Sequence, residues 1–363
     1  MKSYELIPLK NKEIPNSIKA LLTEDLKNYI VLKDGHIIKR KLDESFSGIT
    51  VETYEDALPE KINIFLDTEY VNDTEGEAYN YNVENVNSGL LIHVPRNTYI
   101  EDVLHVFYVQ ENIELVQNTR IVLEDNSGLK YFEYLSNQTD TAINFVSNAI
   151  VKENASLEYT AISKYTKKSV ASITRNAFLK RYARANYSVA EVNDGATVSN
   201  TNIFLQEDYA SGTTKTVAIT SNNQEASFTQ LVEHLAKETE GYIENYGVAN
   251  NESALVFEGI GKINKGMKRS IARQSNNGIV LGVNSRLDAN PLLLIDEFDV
   301  VASHGAAIGK IDDEQLYYLM SRGLSLPVAE RLIISGFLSP VLKVLTTDKL
   351  KQEFILSVEN KTN

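Results

Sequence analysis

The chain has no cysteine and no tryptophan among its 363 residues, and only seven prolines and five histidines. Without cysteine there is no disulfide, no thiol nucleophile and no thiolate metal site supplied by this chain alone. The five histidines are His36, His93, His105, His234 and His304, and no two stand at the i, i+4 spacing of a helical zinc site. Positive charge is also short: the formal net charge is -13. Broad nucleic-acid binding needs a basic face to release counterions from phosphates, and an anionic membrane surface makes the same demand, so neither partner is expected. No apolar run approaches the ~18 residues of a membrane span. The opening Met1 to Pro8 lacks the apolar core of a secretory signal, which makes a cytoplasmic location the expectation.

What remains is ordinary for a folded protein: 43% hydrophobic and 23% charged residues, in a chain long enough for two or three units of roughly 150 residues. Residues 1–87 read as a mixed N-terminal region. Pro15 to Tyr29 places Ile18, Leu21, Leu22 and Leu26 near one face of a short helix. Asp34-Gly35 between apolar pairs predicts a tight hairpin. Thr53 to Leu58 is expected to form one helical turn, and the Asn-rich Asp73 to Asn87 a loop.

From Ser88 to Ile311 short alternating runs follow one another, such as Leu90–Val94, Val103–Val109, Thr119–Leu123 and Leu129–Tyr134. Alternation with a period of two marks strands with one buried face. Corners carry Asn, Asp and Gly. A faint repeat, a small residue leading an aromatic-bearing strand, recurs at Gly128, Ala155 and Ala185, at steps of about 27 and 30 residues. More than 200 residues of such strands without a break favour a coiled β solenoid over a β-sandwich, the competing fold. Residues 312–363 turn helical. Asp312 with Gln315 reads as a capping box, Gly323 as a C′ residue, and Pro327 as first-turn proline of a second helix running to Gly336. Leu338 to Leu356 has room for one or two more helices, and Val358 to Asn363 reads as a frayed end.

Chemistry-bearing residues are few. His304, in Ala302 to Ala306, stands at the junction of strands and helices as a metal ligand, a proton donor or a turn histidine. Asp296, Glu297 and Asp299 form an acidic cluster that reads as a solvated turn; a paired-carboxylate site for sugar cleavage is the alternative. Gly259 to Lys262 lacks the spacing of a phosphate loop and reads as a β turn. Lys262, Lys265, Lys268, Arg269 and Arg273 make a local basic run, a solvated face or a docking patch for an acidic partner. Tyr317, Tyr318, Leu332 and Phe337 give the terminal helices apolar surface suited to packing or to a protein interface.

Three stretches carry a resemblance: Pro291 to Ile295, Asp299 to Asp312, and Leu316 to Gly323 continuing through Ala329 to Phe337. Together they resemble the C-terminal signature of the SufB/SufD family, scaffold subunits of iron–sulfur cluster assembly. Gly89 to Pro95, Asp34-Gly35, Gly48 to Val51 and Glu55 to Leu58 are similar to its earlier segments, and His234, Gly259 and Gln274 to Asn290 to its later coils. The Ser-His-Gly-Ala form and the chain length resemble the shorter branch of the family; the longer branch carries a cysteine that this chain lacks.

The resemblance implies a mainly β chain: a right-handed parallel β-helix over 88–311, between a small N-terminal α/β region (1–87) and a C-terminal helical region (312–363). It implies a non-catalytic subunit of a SufB–SufC–SufD-type complex. A SufB-type paralogue would dock through the β-helix and a SufC-type ATPase through residues 312–337. A homodimer is the alternative assembly when the paralogue is missing. It further implies that His304 is a cluster or iron ligand at the paralogue interface. No cofactor would then be held stably by this chain alone, the nascent iron–sulfur cluster being shared with that partner. The readings opposed to it are a β-solenoid carbohydrate-active enzyme, which would need a carboxylate-lined groove with aromatic platforms, and a purely structural solenoid.

Overall fold

The computed structural model describes residues 7–53, 56, 76–112 and 115–362. The later strands follow the predicted alternation, with one face toward a common interior, whereas the early runs such as Val116–Leu123 and Gly128–Asn137 are buried on nearly every residue, on both faces of the coil. In the strand Ala254–Ile263 every second residue, from Leu255 to Ile263, is buried. Successive strands leave alternately for two sheets, ten-stranded and nine-stranded among the described residues. Within each sheet, strands from successive coils pair in parallel register: Val170 beside Ala196, Glu225 beside Ala254, Ala254 beside Arg286. A parallel pair needs a long crossover, and here the crossover is the other half of the coil, which also forms a strand. The chain is a mainly β solenoid, flanked by N-terminal α/β elements and C-terminal helices.

The corners explain the scattered asparagines. Asn97, Asn126, Asn154, Tyr182, Tyr209, Glu238 and Arg269 occupy one corner of successive coils, each with left-handed backbone, the conformation asparagine tolerates best after glycine. Asn126 donates to Asn97 at 3.1 Å and Asn154 to Asn126 at 2.9 Å, and the rings of Tyr182 and Tyr209 stack at 4.9 Å. Inside the coil Tyr131, Tyr159 and Tyr187 line up in register, the first pair tilted at 4.8 Å and the second stacked at 4.5 Å between centroids.

Both sheets continue into the N-terminal region. Strand β1 (Tyr29–Lys33) pairs in parallel with Tyr99–Gln110 and forms a hairpin with β2 (His36–Lys41). Asp34 and Gly35 turn that hairpin at positive φ, as predicted. Strand β3 (Thr50–Thr53) adds antiparallel to β4 (Ser88–Val94). The expected helix over Pro15 to Tyr29 is shorter: only Asn16–Lys19 is helical, because Tyr29 already belongs to β1. The expected turn Thr53 to Leu58 falls largely outside the described residues. The predicted loop before Asn87 contains a helix, Glu77–Asn85, whose buried residues are Tyr79 and Asn82. Asn82 fastens it by donating to Gln117 O and Asn144 Oδ1 and accepting from Asn118 Nδ2.

The C-terminal helices cover the outer face of the ten-stranded sheet. Ile334, Leu338, Val341, Leu345, Leu350, Phe354 and Val358 lie on a stripe that includes Phe107, Phe132, Ile162, Val217 and Val248. Asp312 caps the helix Asp313–Ser321 by accepting from Glu314 N, and Gly323 ends it at φ +95. Leu324 N bonds Leu319 O and Gly323 N bonds Met320 O, the paired bonds of a Schellman motif. The next helix, Leu326–Phe337, begins with Pro327, as expected. The expected frayed end is instead the last turn of a helix, Asp348–Thr362, held by buried Val358 and by buried Lys361. From Thr346, bonded to His105 of the strand Tyr99–Gln110, to Lys361, bonded to Asn250 after Glu240–Ala249, the segment crosses five rungs of that sheet. Five rungs at about 4.8 Å make about 24 Å, close to the roughly 22 Å of a fifteen-residue helix, which therefore lies along the coil axis.

Candidate functional site

The coil ends in two strands, β18 (Arg286–Ile295) and β19 (Val301–Gly309), the terminal members of the two sheets. Each pairs on one side only, β18 with β16 (Ala254–Ile263) and β19 with β17 (Ile271–Val280). His304 lies opposite Gln274. In β17 the alternate positions Ala272, Gln274, Asn276 and Gly278 are buried and face the interior, while Ile279, also buried, packs in the outer cluster under the C-terminal helices. Parallel neighbours in register share a face. His304, with Ala302, Ala306 and Ile308, therefore stands on the inner face of the last coil. All nine residues of β19 are exposed because no further coil covers them. Of the readings open for His304, the turn histidine does not hold: it is mid-strand, with Gly305 in open surroundings after it.

The layer beneath His304 is polar. Gln274 donates from Nε2 to Leu292 O at 2.7 Å, while its Oε1 is buried without a partner, as is Nδ2 of Asn276. Asn276 Oδ1 accepts from Asn245, which donates in turn to Gln230. Gly259 and Gly261, read as a turn, lie within β16 and face Gln274: a Cβ on Gly259 would stand 2.7 Å from Gln274 Oε1. The glycines give Gln274 room to cross the interior, a reason no local spacing displays.

The other candidates are arranged as follows. Glu297 holds its turn by accepting from Gly266 N at 2.9 Å, Phe298 N at 2.9 Å and Asp299 N at 3.3 Å; those backbone bonds lower its pKa. It forms part of a turn, not half of a carboxylate pair. In the basic run, Lys262 pairs with Glu233 at 2.8 Å and Arg269 with Glu238, while Lys265 and Lys268 are exposed. The helix pair 313–337 leaves Tyr317 76% and Leu332 54% exposed, with Tyr318 and Met320 beside them, and the Arg322 guanidinium lies over the Tyr318 ring. Among the described residues no three His, Asp or Glu side chains converge as a metal site, at His304 or elsewhere. Sequence reasoning passed over Gln274 and Asn276 as site neighbours; only the register between β17 and β19 brings them under His304.

The described chain is thus a parallel β solenoid with an uncovered last coil, an inward histidine on it and an exposed apolar helix pair following it. The family model described as "SUF system FeS cluster assembly, SufBD core domain" matches residues 107–337. The chain belongs to the SufBD family. It is 37% identical over 282 residues to the iron-sulfur cluster assembly protein SufD of Bacillus subtilis (strain 168), a match covering 76% of this chain and 64% of that protein. It is 26% identical over 259 residues to an iron-sulfur cluster assembly SufBD family protein of Mycobacterium leprae (strain TN), covering 70% and 30% respectively. A SufBD family protein of Staphylococcus epidermidis (strain ATCC 12228 / FDA PCI 1200) is 23% identical over 317 residues, covering 85% and 68%. The chain thus matches less than two thirds of the length of the first two relatives. No helix among the described residues is long and apolar enough to cross a membrane.

Proposed function

We propose that this chain is a non-catalytic, cytoplasmic subunit of a SufB–SufC–SufD-type scaffold on which iron–sulfur clusters are assembled. One observation carries the reading: in a chain of this family, His304 faces the axis of the last, uncovered coil. A SufB-type paralogue adds its own strands beyond β18 and β19 and so stands directly over His304. A SufC-type ATPase docks on the helix pair 313–337, where Tyr317, Tyr318 and Leu332 supply the aromatic and apolar anchors typical of interface centres. The cluster is cargo shared across the junction. Imidazole is a borderline ligand for iron, and the partner contributes the thiolates that this cysteine-free chain has none of.

The test is anaerobic co-expression with the SufB-type and SufC-type proteins of the same source, followed by co-purification and iron and sulfide analysis. His304→Ala is expected to leave the complex assembled and to lower its iron and sulfide several-fold. Equal cluster content in the variant would end the role of His304. Failure of the folded wild-type chain to bind either protein would end the scaffold reading.

A further inference from the structure

Deep in the middle coils lies an ionic cluster that the proposed function does not use. Arg175, Glu133 and Glu191 are fully buried there. Arg175 grips Glu133 Oε1 with Nε at 3.2 Å and NH2 at 2.7 Å, and the other oxygen of Glu133 accepts from the Tyr159 hydroxyl. Glu191 receives less. Its Oε1 is 3.7 Å from Arg175 Nη1, beyond hydrogen-bond distance, and its Oε2 accepts from Asn193 Nδ2 at 3.0 Å. One guanidinium therefore serves two carboxylates in a dry interior, where an unbalanced charge is costly. Ser163, beside Glu191 on the neighbouring rung, lies close enough to lower its pKa, and the buried Tyr165 is two residues further on. The ionisable groups acting on Glu191 are Arg175 and Glu133, with Tyr165 also close enough to feel its charge. Burial drives the Glu191 carboxyl up to about 7, against the pull of Arg175.

A chain of side chains leads from this cluster to the surface. Asn193 Oδ1 accepts from Gln224 Nε2 at 3.2 Å, and Gln224 Oε1 accepts from Lys361 Nζ at 2.9 Å. Lys361 also pairs with Asp194 at 2.9 Å, and its carbonyl accepts from Asn250 Nδ2 at 2.9 Å. Lys361 is 3% exposed whereas the Asp194 side chain is 57% exposed. The last turn of the terminal helix thus lies over the outer end of the chain.

We propose that Glu191 is a buried proton-binding site, holding the proton that a single guanidinium leaves unbalanced, and that the last turn of the terminal helix is a strap closing its route to solvent. With the strap down, Lys361 holds Gln224 and Gln224 holds Asn193. When it lifts, water reaches Asn193 and Glu191; the carboxyl O–H breaks, the proton passes to water, and the carboxylate turns to Arg175.

Infrared spectroscopy of the full chain at pH 6 tests both halves. Wild type should show the carbonyl stretch of a protonated carboxyl group, absent from Glu191→Gln. On transfer to heavy water that band should shift slowly in wild type and at least tenfold faster in Lys361→Met, whose side chain keeps the packing but not the bonds. Should Lys361→Met fail to fold, Asp194→Asn removes the exposed half of the clasp and should accelerate the shift in the same direction. Absence of the band in wild type would overturn the proton site. Equal shift rates in wild type and the folded strap variant would overturn the strap.

Discussion

Three buried titratable residues contribute to the acid response of this protein in opposite directions. His105 donates from Nδ1 to Asn28 O at 3.0 Å, which leaves Nε2 to accept from the Thr346 hydroxyl at 2.7 Å. Burial pushes its pKa down to about 4, and burial does the same to His234. Both are neutral when folded and bind protons near pH 6.5 when unfolded, so acid favours the unfolded chain. Their stabilisation is complete above pH 6.5 and is lost as pH falls toward 4. Glu191 works the other way: its raised carboxyl keeps a proton that the unfolded chain releases near 4.5, so its contribution is lost as pH rises from 4.5 through 7. Each of these displacements is worth about 3 kcal/mol, so the two histidines together outweigh Glu191, and this set of groups favours unfolding on acidification. Glu191→Gln deletes the opposing contribution. The pH dependence of its urea midpoint should be steeper than that of wild type between pH 5 and 7, with its largest gain in stability at the alkaline end. Parallel profiles would show that Glu191 does not titrate in this range.

At the scale of elements, the terminal helix is fixed by what it buries. Phe354 is in the core against the outer face of the ten-stranded sheet, whereas Leu356, two residues on, is half exposed. Phe354→Ala should cost about 3–5 kcal/mol, as large-to-small changes in a packed core do, and Leu356→Ala should cost well under about 1 kcal/mol. Thermal or urea unfolding decides it; similar losses for the two would mean that the helix does not pack as described. The strands, the Asp34-Gly35 hairpin and the Asp312 cap were legible in the sequence because each is specified by residues close together: alternation, a turn pair, a cap. Three features were not. The helix Glu77–Asn85 buries an aromatic and an amide, so it has no apolar stripe to read. The last helical turn is held by Lys361, a residue that reads as solvent-facing until Asp194 and Gln224, far away in the chain, are placed beside it. The glycines of β16 look like turn residues because the group that needs their space, Gln274, lies on another strand. His304 was visible as a residue, but its inward direction follows from pairing with β17, some 30 residues earlier.

For the molecule as a whole, the two ends of the coil are unequal. At the N-terminal end β2 and β3 run antiparallel to their neighbours and end the parallel stacking there. The other end stops at β18 and β19, and β19, Val301 to Gly309, contains no lysine, arginine, glutamate, aspartate or proline to guard it. An unguarded edge strand is a template for another chain. Val301 and Ile308 on it, with Leu292 and Leu294 on β18, are large apolar residues left exposed. Added coils would satisfy the free backbone groups of both strands and cover the inner face that holds His304. On the proposed reading a SufB-type paralogue and a second copy of this chain would compete for that end and exclude each other. Ala306→Lys places a charge on the uncovered inner face next to His304, and the side chain has room to reach solvent while the end is free. Sedimentation velocity over a concentration series should show self-association of the wild-type chain, its suppression by the paralogue, and a monomer at all concentrations for Ala306→Lys with an unchanged unfolding midpoint. Self-association that survives both the substitution and the paralogue would place the contact elsewhere on the coil and remove the open end as the shared docking surface.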